Sequence, residues 1–344
     1  MKRSDSDSSK IAGIDWERGG ESAVELSRSD RLREFYEANV YQPLVVAMND
    51  WRTLGGLTIL GLYLFMAFVS VAGLWREPST SQADRYLQPL EQLAYPLGTT
   101  QSGVDLLALI VHATPEILIM VTAGAFWATG LALLVGTVSG YKGGVVDRAL
   151  MAVSDFAMAI PGLPLVIVLA FTFNPQNPVF VGIIITINYW AGLGRAIRSQ
   201  VLSLRQKSYV EASRAMGTGT MRIIWKDLVP NVMPYVSINF VFAARYVVFA
   251  SVGLYFLGVL PFSGQNWGVT LNFAYQGGAM LTWQAAHWLL VPMIAIGGLS
   301  LALVLLGQGL DRVFNPRVRT RLAGESTSEE TGEDESPSAN GQML

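Results

Sequence analysis

Six apolar runs of membrane length divide the chain, at roughly 54–75, 115–139, 149–173, 178–196, 235–260 and 286–310. A helix that crosses ~30 Å of hydrocarbon needs about 20 predominantly apolar residues, and each run meets that length. The pattern therefore predicts an all-α polytopic membrane protein with six transmembrane helices. The first fifty residues are polar and the first run is long enough to span, so it is expected to remain as a membrane helix rather than a cleaved signal. Outside the runs the character changes. Residues 1–22 are rich in Ser, Asp and Gly, residues 320–344 in Ser, Glu and Gly, and both are expected to be disordered. Between 23 and 50, Leu26, Leu32, Phe35, Tyr36 and Val40 mingle with Arg28, Arg31 and Arg33. That mixture suits either a helix lying on the membrane surface or a basic anchor ahead of the first span.

One polar interval, residues 205–234, breaks the apolar pattern most sharply. Ser208 followed three residues later by Glu211 reads as a capping box at a helix start. Tyr209, Ala212 and Met216 then share one face, with Lys207, Glu211 and Arg214 on the other. Gly217 suits a left-handed helix stop. A second short helix is expected, with Met221, Ile224, Trp225 and Leu228 as its apolar stripe and Pro230 and Pro234 closing it. By itself such an interval fits an amphipathic loop resting on the membrane surface.

Charge orients this layout. Arg28, Arg31, Arg33 and Arg52 precede the first run, and Lys142 and Arg148 lie between the second and third. Seven cations from Arg195 to Lys226 lie between the fourth and fifth, and Arg312, Arg317, Arg319 and Arg321 lie at or beyond the end of the sixth. The alternate loops hold Arg76 and Arg85. The positive-inside rule then places both termini and the 196–234 loop in the cytoplasm. The expected order is a cytoplasmic segment 1–53, a first helix 54–75 and an extracellular loop 76–114. A core 115–312 follows, with five helices and a cytoplasmic loop 197–234, and then an acidic tail 313–344.

Composition narrows the chemistry. Of 344 residues, 51% are hydrophobic and only 15% charged, against about a quarter in a typical soluble protein. There is no cysteine, which excludes disulfides and thiolate metal sites. With His112 and His287 as the only histidines, no metal site is expected, and His287 reads as an interfacial side chain. No Gly-x4-Gly-Lys-Ser/Thr phosphate loop and no nucleophile–base constellation is present, so the chain reads as a conduit driven from elsewhere, not an enzyme.

Within the runs a few residues stand out. Pro161 and Pro164 free backbone carbonyls at membrane depth, which fits a broken helix beside a substrate path or a packing kink. Asp155, near Arg148, reads as a structural partner for a neighbouring helix. Arg245 lies eleven residues past Pro234; its insertion costs about 2.5–3.5 kcal/mol, against roughly 5–6 kcal/mol returned by its apolar neighbours. It must face protein or water, as a path residue attracting carboxylates, an interhelical ion pair or a snorkelling anchor. Gly192 and Gly194 permit close packing. Trp267, Trp283 and Trp288 are expected as an aromatic belt at the outer interface.

Several motifs together resemble one family. Glu211-Ala212-Ser213, Gly217 and Pro230-Asn231, at their spacing, resemble the EAA loop of binding-protein-dependent ABC importer permeases. Gly98–Asp105, Gly140–Arg148, Asn188–Arg198, Gly253–Gly258 and Leu306–Arg317 resemble further segments of the dipeptide/oligopeptide/nickel type. The resemblance covers most of the chain after about residue 97. Departures are Thr100 for an acid, Val104 for an arginine, Ser251 for a glutamate and Gln308 for an acid.

The resemblance implies the type I importer permease fold and a cell-membrane location. Its expected partners are a second homologous permease subunit, two cytoplasmic ATPase subunits carrying ATP-Mg, and an extracellular solute-binding protein. It implies no cofactor on this chain and no nucleic-acid partner. Tyr209, Glu211, Ala212, Ser213, Met216, Gly217, Ile224 and Pro230 would form the ATPase-coupling loop, with Arg245, Pro161 and Pro164 as candidates for the path. Peptides are the family's default solute, with nickel or a sugar-derived compound as alternatives. The competing class is an ion- or proton-coupled secondary transporter, which would need more midplane ionisable groups than Asp155 and Arg245.

Overall fold

The computed structural model describes residues 50–81, 83–261 and 265–314. The segment before residue 50, with its expected surface helix or basic anchor, and the tail beyond 314 lie outside the described residues. Helix α1 spans Trp51–Val71, α2 Leu106–Lys142, α3 Gly144–Ala159, α4 Gly162–Phe173, α5 Pro178–Ile185 and α6 Trp190–Leu204. After these come α7 Ser208–Ala215, α8 Thr220–Ile223, a π turn Ile224–Leu228, α9 Val229–Phe256, α10 Trp267–Gln276 and α11 Ala286–Phe314. Four helices are long and apolar enough to cross a membrane. The count is six if the bent pairs α3–α4 and α5–α6 each make one span.

The third and fourth expected spans are therefore not simple rods. The α3–α4 pair bends by 85° and the α5–α6 pair by 63°. The second span also begins earlier than its apolar run. Asp105 caps α2 by accepting a hydrogen bond from the Leu107 N–H at 2.9 Å, so the helix starts nine residues before Pro115. Pro115 then lies inside the helix and leaves the Val111 carbonyl without its usual donor. Beside it, Thr114 donates from Oγ1 to the Ile110 carbonyl at 2.7 Å.

Helix α2 is the post around which the rest is arranged, packing on α1, α5, α6 and α9. It does so through glycines. A Cβ placed on Gly124 would lie 2.7 Å from the Gly182 carbonyl oxygen, and one on Gly182 would collide with the Met120 carbonyl. One on Gly136 would lie 2.6 Å from the Gly194 carbonyl oxygen, and one on Gly140 would lie 2.8 Å from Val201. Of the two glycines expected to permit close packing, Gly194 lies at the contact but has room for a Cβ, 3.6 Å from the Ala132 carbonyl oxygen, and Gly192 faces open space; Gly136 opposite is the residue that must be small. Where α5 ends, the buried Thr186 donates to the carbonyls of Gly124 and Gly182 at 3.2 and 2.9 Å. Met120, Ala125, Val181, Ile185, Val247 and Val248 fill the core around this contact.

The expected aromatic belt needs correction. Trp267 is wholly buried and its indole N–H donates to the Ile110 carbonyl at 3.3 Å; Trp288 is buried as well. Trp283 alone of the three is strongly exposed. His287 is likewise buried, its Nε2 3.0 Å from the Thr99 carbonyl. Tyr86 and Thr99 of the outer loop meet Trp288 and His287, and Trp267 packs against Tyr63 of α1, so side chains that read as interfacial become core.

Two outcomes follow. Replacing Gly182 with Ala should lower the thermal midpoint of the detergent-solubilised protein by the equivalent of about 1–3 kcal/mol, the usual cost of overpacking. Gly61→Ala, where a Cβ meets nothing within 4 Å, should leave it unchanged or raise it. For Asp105, burial pushes the carboxyl above its ordinary value of 3.8, against the Leu107 N–H and the Arg76 guanidinium, which pull it down. The ionised form is then disfavoured by folding, and this cost sets in as pH rises above about 4. Asp105→Asn keeps the capping oxygen, so its stability should fall less with rising pH than that of the parent protein, as measured by pH-dependent melting.

Candidate functional site

The polar interval forms an ordered helical hairpin between α6 and α9. Helix α7 begins differently from its capping-box reading. Lys207, not Ser208, is the N-cap, and no side chain caps the helix. Ser208 is thus already in the first turn, and Glu211 lies one position too far along to reach back. The helix end matches its reading in full. Gly217 adopts φ +75°, the Gly217 N–H bonds to the Arg214 carbonyl at 3.0 Å, and the Thr218 N–H bonds to the Ser213 carbonyl at 3.1 Å. This is the Schellman arrangement, and it requires a residue that tolerates the left-handed region.

The hairpin's faces are distributed in a way periodicity could not settle. Val210, Ile223, Ile224 and Leu228 are buried against Ile197, Val201 and Trp190, which fastens the hairpin to the ends of the long helices. Tyr209, Met216, Met221 and Trp225 are 42%, 76%, 57% and 61% exposed, and Ala212 is exposed beside them. The predicted stripe of Met221, Ile224, Trp225 and Leu228 therefore splits, two residues inward and two outward. Nor do the prolines close the second helix. The π turn, with the Val229 N–H reaching the Ile224 carbonyl, carries the chain directly into α9. Pro230 lies in the first turn of α9 and Pro234 within it. The widened turn accommodates the missing Pro230 N–H, and Asn231 Nδ2 takes up the Asp227 carbonyl at 2.7 Å.

Ionic contacts brace the hairpin's base. Arg198 of α6 holds Asp147 of α3 in a two-point bond of 2.5 and 2.6 Å. Arg205 donates to the Gly140 carbonyl at the end of α2 at 3.1 Å, and Arg214 lies over the Tyr141 ring. Asp155 pairs with Arg195, which agrees with its reading as a structural partner between helices. Tyr141, Lys142, Arg205, Glu211 and Arg214 border a polar cavity of about 560 Å³ beneath α7.

The remaining candidates gather around the two helix breaks. The α3–α4 break falls at Ile160–Pro161, where Pro161 caps α4 and Pro164 sits in its first turn; both prolines are exposed. Asn188, in the α5–α6 break, donates to the freed Ile160 carbonyl at 3.3 Å, so one break repairs the other. Next to Asn188, the Tyr189 ring lies 5.0 Å from that of Tyr246 on α9. Arg245 is exposed within electrostatic reach of Tyr189, and among the described residues it makes no ion pair or hydrogen bond. The structure thus brings Pro161, Asn188, Tyr189 and Arg245 into one region, apart from the hairpin.

Sequence reasoning overlooked Glu116, a half-buried carboxylate on α2 within electrostatic reach of Tyr255. Its signal was a charge at the second position of an expected span. It also overlooked Asn188, an amide whose partner is fixed only once both breaks form.

Comparison with known proteins places these features. The family description "Binding-protein-dependent transport system inner membrane component" matches residues 128–320, more than half of the chain. The dipeptide transport system permease protein DppC of Bacillus subtilis is 29% identical over 289 residues, which is 80% of this chain and 87% of that protein. The oligopeptide transport system permease protein OppC of Mycobacterium tuberculosis is 31% identical over 229 residues, covering 66% of this chain and 78% of that one. The corresponding OppC of Haemophilus influenzae is 31% identical over 226 residues.

The Asp147–Arg198 pair is largely shielded, with side chains 14% and 28% exposed. Asp147→Asn should cost about 1.5–3 kcal/mol, the range for a hydrogen bond to a charged group. Adding Arg198→Gln should recover part of that loss. A double variant as unstable as the sum of the singles would show that the two residues are not coupled.

Proposed function

Because the chain belongs to the family of inner-membrane components of binding-protein-dependent transport systems, we propose that it is one of two membrane-spanning subunits of an ATP-driven importer. Its solute is a di- or oligopeptide delivered by an extracellular binding protein. The names of the three relatives compared above, a dipeptide and two oligopeptide transport system permease proteins, support the solute class. Two cytoplasmic ATPase subunits bind ATP-Mg and supply the energy, and this chain performs no catalysis. Both termini and the hairpin face the cytoplasm, in keeping with the cation distribution.

One observation carries this reading. The hairpin is rigidly anchored by Val210, Ile223, Ile224 and Leu228 yet turns Tyr209, Met216, Met221 and Trp225 outward. A polar hairpin with an unburied apolar and aromatic face fits a groove on a partner protein. Glu211, Ala212 and Ser213 lie on the same short helix, and Gly217 sets the angle at which the chain leaves it. The hairpin leads directly into α9 through Pro230 and follows α6 after three residues. Movement of the ATPase grooves would therefore tilt both helices together. Within the membrane, the break at Pro161, Pro164 in the turn after it, and the cation of Arg245, which makes no ion pair among the described residues, border the translocation path, where the guanidinium attracts the carboxylate of a passing peptide.

Co-purification tests the partnership: an ATPase subunit should accompany the complex extracted in mild detergent, and its consistent absence would sink the proposal. Gly217→Val places a β-branched residue at φ +75° in open space. The variant should insert and assemble, yet hydrolysis should no longer drive uptake. Arg245→Gln should reduce peptide transport far more than assembly; loss of the folded complex instead would assign Arg245 a structural role.

A further inference from the structure

At the end of the bundle opposite the hairpin, a cavity of about 580 Å³ opens between the loop after Thr99, α10 and the start of α11. This is within the ~300–1,000 Å³ typical of small-molecule sites. Its polar lining includes Gln101, Ser102, Asn266, Thr270 and Gln276, with Trp288 as an aromatic wall, and among the described residues none that line it is charged. A ligand for such a surface is uncharged where it binds and carries both donors and acceptors.

Asn266 narrows the choice. Its Oδ1 accepts from the Gly268 N–H at 2.8 Å and so caps α10, which fixes the amide orientation and leaves Nδ2 as a donor. The residue is 98% buried, yet Nδ2 has no hydrogen-bond partner. A buried donor without an acceptor is destabilising, and a ligand carbonyl would relieve that cost. Gln276, at the other end of α10 and oriented by its own bond from Nε2 to Asn272 Oδ1 at 2.6 Å, adds a second primary amide to the lining. Primary amides match the donor–acceptor pattern of a peptide group, and Trp288 offers a surface for a side chain.

We infer that this cavity is a subsite for the main chain of a short peptide at the outer mouth of the path, with the Asn266 Nδ2 donating to a peptide carbonyl. The assignment rests on the proposed role of the chain as a peptide importer's membrane subunit. Because the cavity reads main-chain amides and carries no charge, it would accept peptides irrespective of side-chain sequence.

The chain contains no cysteine, so Gln101→Cys gives it a single reactive thiol at the exposed rim of the cavity. In the assembled permease–ATPase complex without binding protein, Ala-Ala-Ala should slow maleimide labelling of that thiol several-fold. Adding Asn266→Ser, which keeps an oxygen for the cap but removes the amide donor, should raise the tripeptide concentration needed for half-protection by roughly five- to tenfold. Labelling unaffected by tripeptide overturns the subsite, as does equal protection by a neutral disaccharide. Protection that requires the binding protein also overturns it, since the cavity would then be covered by that protein. Peptide uptake with the binding protein is measured in parallel. Uptake without protection removes only the subsite, whereas absence of uptake removes the importer reading on which it rests.

Discussion

The near-contact of α2 with α5 and α6 is the constraint on which the structure depends. Between Gly124 and Gly182 backbones meet with no room for a Cβ on either residue, and Gly136 has none against the Gly194 carbonyl. In hydrocarbon no hydrophobic gain distinguishes a helix neighbour from a lipid tail, so close backbone packing must supply the association. Once α2 is pressed against the short α5, the end of that helix is repaired through Thr186, whose hydroxyl bonds across to Gly124. The bend into α6 and the register of the hairpin that follows are set from there.

A break in a helix frees backbone groups that in an apolar setting must find a partner inside the protein. Asn188 meets the carbonyl at Ile160, and so one irregular segment stabilises the other. The result is a polar, partly open seam bordered by Tyr189, Tyr246 and Arg245 within otherwise apolar surroundings. Several charges that join one helix to another are paired: Asp147 with Arg198, Asp155 with Arg195, Asp50 with Arg312. Arg245 makes no such bond among the described residues, and this contrast separates it from charges that serve packing.

The hairpin shows the same division of labour on a smaller scale. A two-turn helix is too short to hold itself in place. It is held because Val210 reaches a pocket formed by the ends of α6 and α9, while the π turn keeps the chain continuous with α9. Attachment to the bundle through buried residues is thus combined with an outer face that carries Tyr209, Met216, Met221 and Trp225.

Sequence alone determined much of this. Span length and mean hydropathy established a polytopic helical protein, and the spacing of Glu211, Gly217 and Pro230 pointed to the family. Gly217 was readable as a left-handed stop because few other residues accept that backbone. What it left undecided had one physical cause: a hydrophobicity pattern reports that a side chain avoids water, not what it meets instead. Trp267, Trp288 and His287 looked interfacial and are core: Trp267 packs between Tyr63 and Ile110 of the first two helices, and Tyr86 and Thr99 of the outer loop cover Trp288 and His287. Tyr209 and Met216 were readable as sharing a face with Ala212, but not as facing outward; that follows from Val210 being the residue of α7 that is buried. The capping box at Ser208 failed because the helix begins one residue earlier in its cap, at Lys207. Glycines and prolines marked where helices could approach or break. Only the tertiary packing decided which glycine touched a neighbour and which proline turned the chain, since both depend on the element placed opposite.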